Sequence, residues 1–205
     1  KYPRNLPRDI KILKKLKVDF LLLPTKNQIY KKKQNMKLKL NKKDKILCAK
    51  YRKGHFEGVL AVINQFLNNI KPKYMFLGEK DFQQLYLIKK FIKKKFKTKI
   101  VSCKTIRDMK MVALSSRNNL LNNKDLILSS KISKILIKFK KKLIKNFNKK
   151  NQIKKIKDEI KKFKNIYVEY LEIRNKFNFS KKINKHNFKI FVAYYNKNVR
   201  LIDNY

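Results

Sequence analysis

The fold is decided by residues 74–103, which read YMFLGEKDFQQLYLIKKFIKKKFKTKIVSC. Residues 74–77 form a short apolar run that Gly78 ends, and apolar residues at helical spacing follow from about position 81 to 95. Residues 99–103 form a second short run. Such runs predict buried strands, and the spacing between them predicts a helix. Strand, helix and strand in this order indicate a parallel sheet with a right-handed crossover, so the stretch predicts an α/β protein.

Upstream of this unit the sequence predicts further α/β elements. Residues 6–17 carry apolar side chains at helical intervals, and residues 18–24 (VDFLLLP) predict a strand buried on both faces. Possible strands follow at 37–40 and 45–49. The apolar face of residues 56–70 predicts a clear helix, which Pro72 ends.

The pattern changes after about residue 105. Residues 113–119 predict a loop, and Asn122 with Asp125 three residues later predicts the N-cap of a long helix. A second helix is predicted at 153–163, and alternating segments at 167–173 and 190–195 predict a small antiparallel sheet. We therefore expect two domains: residues 1–105, with the parallel sheet, and residues 106–205, a smaller α+β domain.

The charge of the chain favours a Lys-rich surface over a specific nucleic-acid interface. The 205 residues include 57 Lys and Arg against 13 Asp and Glu, and only seven of the 57 are Arg. Readers of nucleic acid favour Arg and concentrate their charge on one face, whereas lysines recur here along the whole chain. Apolar runs are far shorter than the roughly 20 residues that span a bilayer, so no membrane segment is expected.

Cysteine and histidine usage indicates a reducing, cytoplasmic setting and no metal cage. Cys48 and Cys103 lie far apart without a C-x-x-C pairing, which is typical of free thiols. His55 and His186 are the two histidines, too few to build a zinc site with these thiols. We therefore predict no metal held by protein side chains alone.

The run Gly78-Glu79-Lys80-Asp81 is the first candidate site, because open α/β sheets bind ligands where strands end and helices begin. Gly78 would let the backbone turn, and Lys80 and the helix N-terminus would attract phosphate. The alternative is that these residues only cap a helix. Glutamines 83 and 84 follow in the first helical turn, where one could bind a substrate hydroxyl or carboxylate, although surface glutamines are common there.

Two further segments could contribute to a site. The run SSRN at 115–118 offers two hydroxyls and Arg117, in a loop between the predicted domains that could close over phosphates. The alternative is a polar linker before a capped helix. His55 opens the apolar helix at 56–70, where a single histidine is more often a cap or a neighbour of the core than a catalyst.

Together these runs resemble the pantoate–β-alanine ligase family of adenylate-forming enzymes. The matching runs are KYPR at 1–4, GHFEGV at 54–59, FLGEKDFQQL at 76–85, ALSSRN at 113–118 and RLIDN at 200–204. They occur in the family's order across the whole chain. The resemblance implies a Rossmann-like nucleotide-binding domain followed by a smaller α+β lid domain, and a homodimer that binds no specific nucleic acid.

The resemblance also implies a reaction in two steps. ATP and pantoate give pantoyl adenylate and pyrophosphate, and β-alanine then displaces AMP to give pantothenate. It implies Lys80 and Arg117 as catalytic residues, Gln84 as a pantoate ligand and Mg²⁺ as the cofactor. The implied ATP-binding residues are Gly78, Glu79, Lys80, Asp81, Ile106, Leu114, Ser115, Ser116 and Arg117.

The sequence departs from the family in three respects. The family's prolines before the Gly-His pair and after the Ile-Tyr pair are replaced by Lys53 and Lys31, and we expect both changes to be tolerated. Lys110-Met111 stands where the family has Asp-Gly, before the ALSSR loop, which could alter the turn. The family's first strand and its His-x-Gly-His nucleotide motif lie upstream of the Tyr-Pro-Arg run and are not matched here. We therefore expect an N-terminally incomplete nucleotide-binding domain and a 205-residue chain with little activity. A decayed, non-catalytic paralogue and a Lys-rich nucleic-acid-binding module are the rival interpretations.

Overall fold

The computed structural model describes residues 5–29, 38–93, 95–147 and 152–205. Helices α1 to α7 span Leu6–Lys15, Lys26–Ile29, Cys48–Tyr51, His55–Ile70, Phe82–Ile92, Asn123–Lys145 and Gln152–Lys161. Strands β1 to β5 span Tyr74–Gly78, Lys99–Cys103, Ile166–Asn175, Phe188–Asn196 and Val199–Asn204. Short 3₁₀ turns cover Lys42–Asp44, Glu79–Asp81 and Ser116–Leu120.

Strands β1 and β2 form the predicted parallel pair. Tyr74 lies opposite Lys99 and Gly78 opposite Cys103, and α5 is the crossover helix between the strands. Helices α4 and α5 pack together and against β1, with Leu67 and Ile88 fully buried. The α/β class is thereby confirmed. The prediction that β1 is buried was wrong: its side chains alternate between exposed and half-buried, because β2 is its only strand partner among the described residues.

A separate antiparallel sheet has the strand order β3-β4-β5. Helices α6 and α7 cover one face of it, and their fully buried Leu136, Leu143 and Ile160 pack against Ile190 and Val192 of β4. The Asn122 side chain accepts a hydrogen bond from the Asp125 amide at 2.9 Å, as the sequence predicts for the N-cap of α6. The predicted α+β character of this half is confirmed, with β5 as an additional strand that the sequence analysis did not assign.

The two sheets are joined by a shared apolar cluster. It combines Leu47, Phe56 and Leu87 from the first half of the chain with Phe179 and Phe191 from the second. The ring centroids of Phe179 and Phe191 lie 5.2 Å apart, and Tyr86 packs edge-on against Phe179. The parallel unit and the antiparallel sheet are therefore held in contact by aromatic packing. The boundary at residue 105 stays a prediction.

The predicted strand at 18–24 is absent. Residues 18–25 adopt no regular structure after α1, and the side chain of Phe20 is 92% exposed. Leu22 and Leu23 are also more than half exposed. An apolar run becomes a buried strand only when a neighbouring strand supplies hydrogen bonds and a covering layer. No described residue supplies them here.

The strands predicted at 37–40 and 45–49 are also wrong. Residue 37 lies outside the described residues, and 38–41 form no strand. Leu47 has a positive φ of 47°, which turns the backbone into α3. Leu47, Cys48 and Ala49 are nonetheless all buried in the shared cluster. A continuously buried segment therefore gave a strand-like pattern although its backbone turns.

No helix among the described residues combines the length and apolar character needed to cross a bilayer.

Candidate functional site

A pocket opens where the carboxyl end of β1 meets the antiparallel sheet. It encloses about 400 Å³, counting its open mouth. Its polar lining comprises Arg52, His55, Lys80, Asp81, Gln83, Gln84, Tyr170, Asp203 and Asn204. The parallel unit thus supplies most of the polar side chains, and the second half of the chain closes the pocket from the other side. This is the edge at which open α/β sheets bind ligands.

Asn204 at the end of β5 holds the GEKD turn in place. Its Nδ2 donates hydrogen bonds to the carbonyl oxygens of Glu79 and Lys80, each at 2.9 Å. Asp203 beside it accepts two hydrogen bonds from Arg107, at 2.7 and 2.8 Å. Arg107 also lies over the Tyr205 ring, 4.6 Å from its centroid. The end of β5 therefore fixes both the turn after β1 and the loop after β2.

Lys80 is the cation best placed to meet an anion in the pocket. Its side chain is only 18% exposed, and its closest carboxylate is Asp81 at 4.0 Å, the limit for an ion pair. Asp81 is itself half exposed, so the pair is weakly coupled. The ammonium group is thus largely removed from water without a firm counter-ion. This arrangement suits a group that binds phosphate or carboxylate.

Arg52 and His55 add positive charge to the same pocket. Gly54 between them adopts φ 75°, a conformation that glycine permits without strain, and the His55 amide bonds the Arg52 carbonyl at 3.1 Å. Burial lowers the pKa of His55 from its ordinary 6.5, and the charges of Arg52, Arg200 and Arg117 lower this pKa further. Burial and Arg200 likewise lower the pKa of Arg52. His55 is therefore neutral at pH 7, in a cationic environment.

A buried network forms the wall behind Arg52. Arg200 donates to both carboxylate oxygens of Glu169, at 3.2 and 2.5 Å, and its Nη2 lies 3.5 Å from Cys48 Sγ. Cys48 Sγ lies 3.0 Å from the Tyr170 hydroxyl, and Tyr51 stacks on the Tyr170 ring. Burial and the neighbouring Cys48 raise the pKa of Tyr170 well above its ordinary value. Tyr170 therefore presents a neutral hydroxyl to the pocket.

The two glutamines that follow the GEKD turn differ in their surroundings. Gln83 is buried, and its Nε2 donates to the carbonyl oxygens of Asp44 and Ile46 at 3.2 and 2.8 Å. It therefore supports the segment before α3. Gln84 lines the pocket half-buried and has no hydrogen-bond partner among the described residues. Gln84, the predicted pantoate ligand, is accordingly free to bind a ligand.

Two of the implied ATP-binding residues, Ile106 and Leu114, lie on a short hairpin after β2. The Leu114 amide bonds the Ile106 carbonyl at 2.9 Å, and both side chains are more than half exposed. At the hairpin tip Met111 has a positive φ of 69°, and its amide bonds the Asp108 carbonyl. Lys110-Met111, which stands where the family has Asp-Gly, forms a closed turn with backbone strain at Met111. An altered turn relative to the family stays a prediction.

The SSR segment lies in the 3₁₀ turn Ser116–Leu120 rather than in an irregular loop. The Ser115 side chain accepts a hydrogen bond from the Arg117 amide at 3.2 Å. Arg117 does not line the pocket, but its charge lowers the pKa of both Arg52 and His55, which places it within electrostatic range. No described carboxylate forms an ion pair with Arg117.

Two members of the GEKD run behave differently from the sequence expectation. Gly78 has ordinary extended backbone angles, and no described atom lies within 4 Å of an added Cβ, so neither its turn nor packing within the chain requires glycine. Glu79 faces a second cleft instead of the pocket. The open space above Gly78 leaves room for close approach of a ligand.

Some site residues were missed or undervalued by the sequence analysis. Asn204 was part of a quoted run without a role, and Tyr170 was not singled out. Arg52 was not singled out, and His55 was given a structural interpretation, although both line the pocket. The available signal was the scarcity of Arg, with seven among 57 basic residues, because in a Lys-rich chain an Arg such as Arg52 points to a position that needs a guanidinium group.

A parallel β-α-β unit with a cationic pocket at its carboxyl edge, covered by a second sheet, defines a Rossmann-like α/β protein with a site for anionic ligands. Comparison with known proteins gives the family. The family model for pantoate-beta-alanine ligase matches residues 1–205. The chain therefore belongs to the pantoate–β-alanine ligase family, which consists of ligases.

Individual relatives agree. The pantothenate synthetase of Francisella philomiragia is 34% identical over 210 residues, and that of Francisella tularensis subsp. novicida is 36% identical. Each match covers 100% of this chain and 70% of the relative.

No group of three or more His, Cys, Asp or Glu residues that could hold a metal ion occurs in the described part of the chain.

Solved structures show the same fold. The pantoate–β-alanine ligase of Francisella tularensis, crystallised with beta-gamma ATP and β-alanine, is 33% identical and superposes with a TM-score of 0.82. The match covers 100% of this chain and 70% of that chain. The Thermus thermophilus enzyme, at 24% identity, has a TM-score of 0.89 and supports the fold, with 100% and 75% coverage.

Proposed function

We propose that this protein condenses pantoate with β-alanine to pantothenate at the expense of ATP. The observation that carries the proposal is the cationic pocket at the end of β1, where Lys80 and Arg52 converge without a firm counter-ion among the described residues. Pantoate and ATP are both anionic, so their charges match the pocket. The relative from Francisella tularensis, crystallised with beta-gamma ATP and β-alanine, supports the choice of substrates.

The reaction proposed here has two steps. A carboxylate oxygen of pantoate bonds to the α-phosphorus of ATP, and the bond from that phosphorus to the bridging oxygen breaks, so pyrophosphate leaves. The amine of β-alanine then bonds to the acyl carbon of the pantoyl adenylate, loses its proton and expels AMP. No protein nucleophile is needed, and the protein's contribution is positioning and charge stabilisation.

Lys80 and Arg117 are the proposed catalytic residues. Lys80 is held by Asn204 through the backbone of its turn, so its position is set before substrate binds. Negative charge moves onto the leaving pyrophosphate in the first step, and a preorganised cation stabilises it more than flexible water does. Arg117 lies in the 3₁₀ turn Ser116–Leu120, and its charge lowers the pKa of His55 in the pocket. It would offset negative charge on the phosphates from the side opposite Lys80.

The other predicted ligands divide between the two substrates. Gln84 would hydrogen-bond pantoate from the floor of the pocket. The exposed pair Ile106 and Leu114 would cover the adenine face, and the space above Gly78 would admit the nucleotide. Asp81, Ser115 and Ser116 complete the proposed ATP site, together with the backbone of Glu79, whose side chain lines the second cleft.

Neutral His55 is a candidate acceptor for the proton of the second step. β-Alanine enters as an ammonium ion and must lose a proton to become a nucleophile. His55 lines the pocket, and its lowered pKa keeps the imidazole unprotonated at pH 7. A base that is free at the working pH is the requirement for this role.

The residues present fit a Mg²⁺ ion that arrives with the phosphates of ATP. Two carboxylates line the pocket. Asp203 accepts two hydrogen bonds from Arg107, whereas Asp81 has no such partner and its side chain is half exposed. Magnesium is commonly held by one or two carboxylates together with substrate phosphates. When bound, the ion would neutralise phosphate charge. Asp81 would orient it from the protein side.

The remaining expectations extend this proposal. Residues 1–105 would form the nucleotide- and pantoate-binding domain, and 106–205 the lid. The enzyme would be a cytoplasmic homodimer. The 205 residues by themselves would ligate weakly or not at all, because half of the family's nucleotide site is unmatched. Measurable ligation by these 205 residues alone would contradict that last point.

The adenylate intermediate is tested by oxygen transfer. Pantoate labelled with ¹⁸O in its carboxylate is incubated with ATP and β-alanine, and AMP is analysed by mass spectrometry. For this test the chain is fused, before residue 1, to the segment that precedes the matched region in the Francisella philomiragia relative. One ¹⁸O atom in AMP supports attack by the carboxylate on the α-phosphate. Unlabelled AMP with the label in pyrophosphate, or formation of ADP with labelled phosphate, would contradict it.

A further inference from the structure

A second cleft lies next to the first pocket and shares only Asn204 with it among the lining residues. It occupies about 830 Å³, counting space open to solvent. Its lining residues are Glu79, Thr105, Arg107, Met111, Ile137, Lys140, Lys141, Ile144, Lys189, Asn204 and Tyr205. Four of these side chains are cationic and one is anionic. The cleft bridges the end of β1, the loop after β2, helix α6 and strand β4.

The cations of this cleft are unequally neutralised. Arg107 is paired with Asp203 through two hydrogen bonds. Lys140 and Lys189 make no ion pair with any carboxylate of the described residues. Both are half-buried, so water screens them incompletely. The cleft therefore holds two half-buried ammonium groups without a counter-ion among the described residues, beside the exposed Lys141.

The pKa of Lys189 shows this excess of positive charge most clearly. This pKa is lowered to about 8, chiefly by burial and in addition by the charges of Lys140 and Arg107, whereas Glu79 and Asp203 oppose the shift. Its ammonium lies 4.7 Å from the centroid of the Phe82 ring, which fixes its position.

The surroundings of Lys140 also disfavour its charged form. Burial lowers its pKa, with Arg107 and Lys176 as further causes. Two neighbouring lysines whose charged forms are both disfavoured are stabilised by a counter-ion between them.

We propose that this cleft is a binding site for a tetrahedral dianion, of the phosphate type, held by Lys140 and Lys189. A doubly charged anion compensates both lysines at once, which a single chloride ion cannot do. The apolar wall formed by Ile137 and Ile144 reduces screening and strengthens the attraction. Because the site joins α6 and β4 to the turn after β1, its occupant links the two halves of the chain.

The proposal is tested by calorimetric titration of the 205-residue chain with sulfate, which is a dianion throughout the range pH 6 to 9. Lys140→Gln and Lys189→Gln should each weaken binding at least tenfold. Lys138→Gln is the matched control, because Lys138 is an exposed residue of α6 two positions away and its loss removes the same charge. It should change the affinity less than twofold.

A second measurement detects proton uptake when the anion binds. At pH 8 the bound anion should draw a proton onto Lys189, so the apparent heat should depend on the ionisation enthalpy of the buffer, and Lys189→Gln should abolish this dependence. Affinity of the unmodified chain should fall as the pH rises above 8. Equal affinities for all variants, including Lys138→Gln, would show diffuse attraction to the Lys-rich surface and overturn the proposal.

Discussion

Asn204 Nδ2 lies 2.9 Å from the carbonyl oxygen of Lys80, and at the same distance from that of Glu79. The last strand of the antiparallel sheet thereby fixes the backbone of the turn that presents the candidate phosphate-binding lysine. The two residues are 124 positions apart in sequence. The position of Lys80 consequently depends on the packing of the two halves of the chain.

Replacement of Asn204 by Asp should disturb the site with little change of volume. A carboxylate cannot donate to the two carbonyl oxygens and would repel them. Loss of these hydrogen bonds should lower the free energy of unfolding by about 1–3 kcal/mol. It should also reduce kcat/KM at least tenfold, because Lys80 loses its fixed position. Urea denaturation of the chain measures the first effect, and steady-state kinetics of the chain fused behind the upstream segment of the Francisella philomiragia relative measure the second. Exposed Asn198→Asp is the control for both. Equal kinetics in the two variants would contradict the role of Asn204.

Arg107→Ala should destabilise the fold strongly. The Arg107 and Asp203 side chains are only 16% and 7% exposed, so removal of the arginine leaves a buried carboxylate without its partner. The expected loss is roughly 3–5 kcal/mol of unfolding free energy. Arg107→Lys should lose less, although a lysine cannot form the same bidentate pair. A double-mutant cycle with Asp203→Asn isolates the pair, and a coupling energy near zero would show that the pair contributes nothing.

Met111→Gly should stabilise the protein. Met111 has φ 69°, in the left-handed region that costs a side chain roughly 1–2 kcal/mol. Glycine removes this cost, offset in part by greater freedom of the unfolded chain, so a net gain of about 0.5–1 kcal/mol is expected. Met111→Ala keeps the strain and controls for loss of the long side chain. A midpoint of urea denaturation that is no higher for Gly than for Ala would rule out backbone strain at this turn.

Stability should depend on the protonation of His55. Because its pKa is lowered in the folded protein, the unfolded chain binds more protons in the window just below pH 6.5. The free energy of unfolding should therefore be highest above pH 6.5 and fall as the pH decreases through the folded pKa. His55→Gln should flatten this part of the profile. NMR titration in a His186→Gln background, which leaves one histidine, should give a midpoint below 6.5 for His55; a midpoint at or above 6.5 would contradict the cationic surroundings.

Local sequence signals were sufficient where an element is determined by its own residues. The helix from His55 to Ile70, strand β2 and the N-cap at Asn122 follow from periodicity, run length and capping chemistry. The strand predictions for residues 18–24 and 45–49 were wrong because the length of an apolar run does not show whether a neighbouring strand is present. Leucine rarely adopts a positive φ, so a leucine at position 47 gives no indication of the turn that the backbone makes there.

The candidate site was predictable in part for a similar reason. Lys80 and Gln84 follow a strand end, a position that itself suggests ligand binding. Asn204, Tyr170 and the Glu169–Arg200 pair act through contacts across more than 30 residues of sequence. Only the packed structure brings Asn204 and Tyr170 to the pocket and the Glu169–Arg200 pair to the network behind it. The second cleft was hidden for another reason: among so many lysines, composition cannot distinguish Lys140 and Lys189 from solvated neighbours.

The most direct measurement is AMP formation from ATP, pantoate and β-alanine by the protein fused behind the upstream segment of the Francisella philomiragia relative. Lys80→Ala is measured beside it, with the exposed Lys93→Ala as the matched control. The account predicts AMP formation that requires both pantoate and β-alanine, falls at least a hundredfold in Lys80→Ala and is unchanged in Lys93→Ala. Folded protein that forms no AMP, or a Lys80→Ala variant as active as Lys93→Ala, would contradict it.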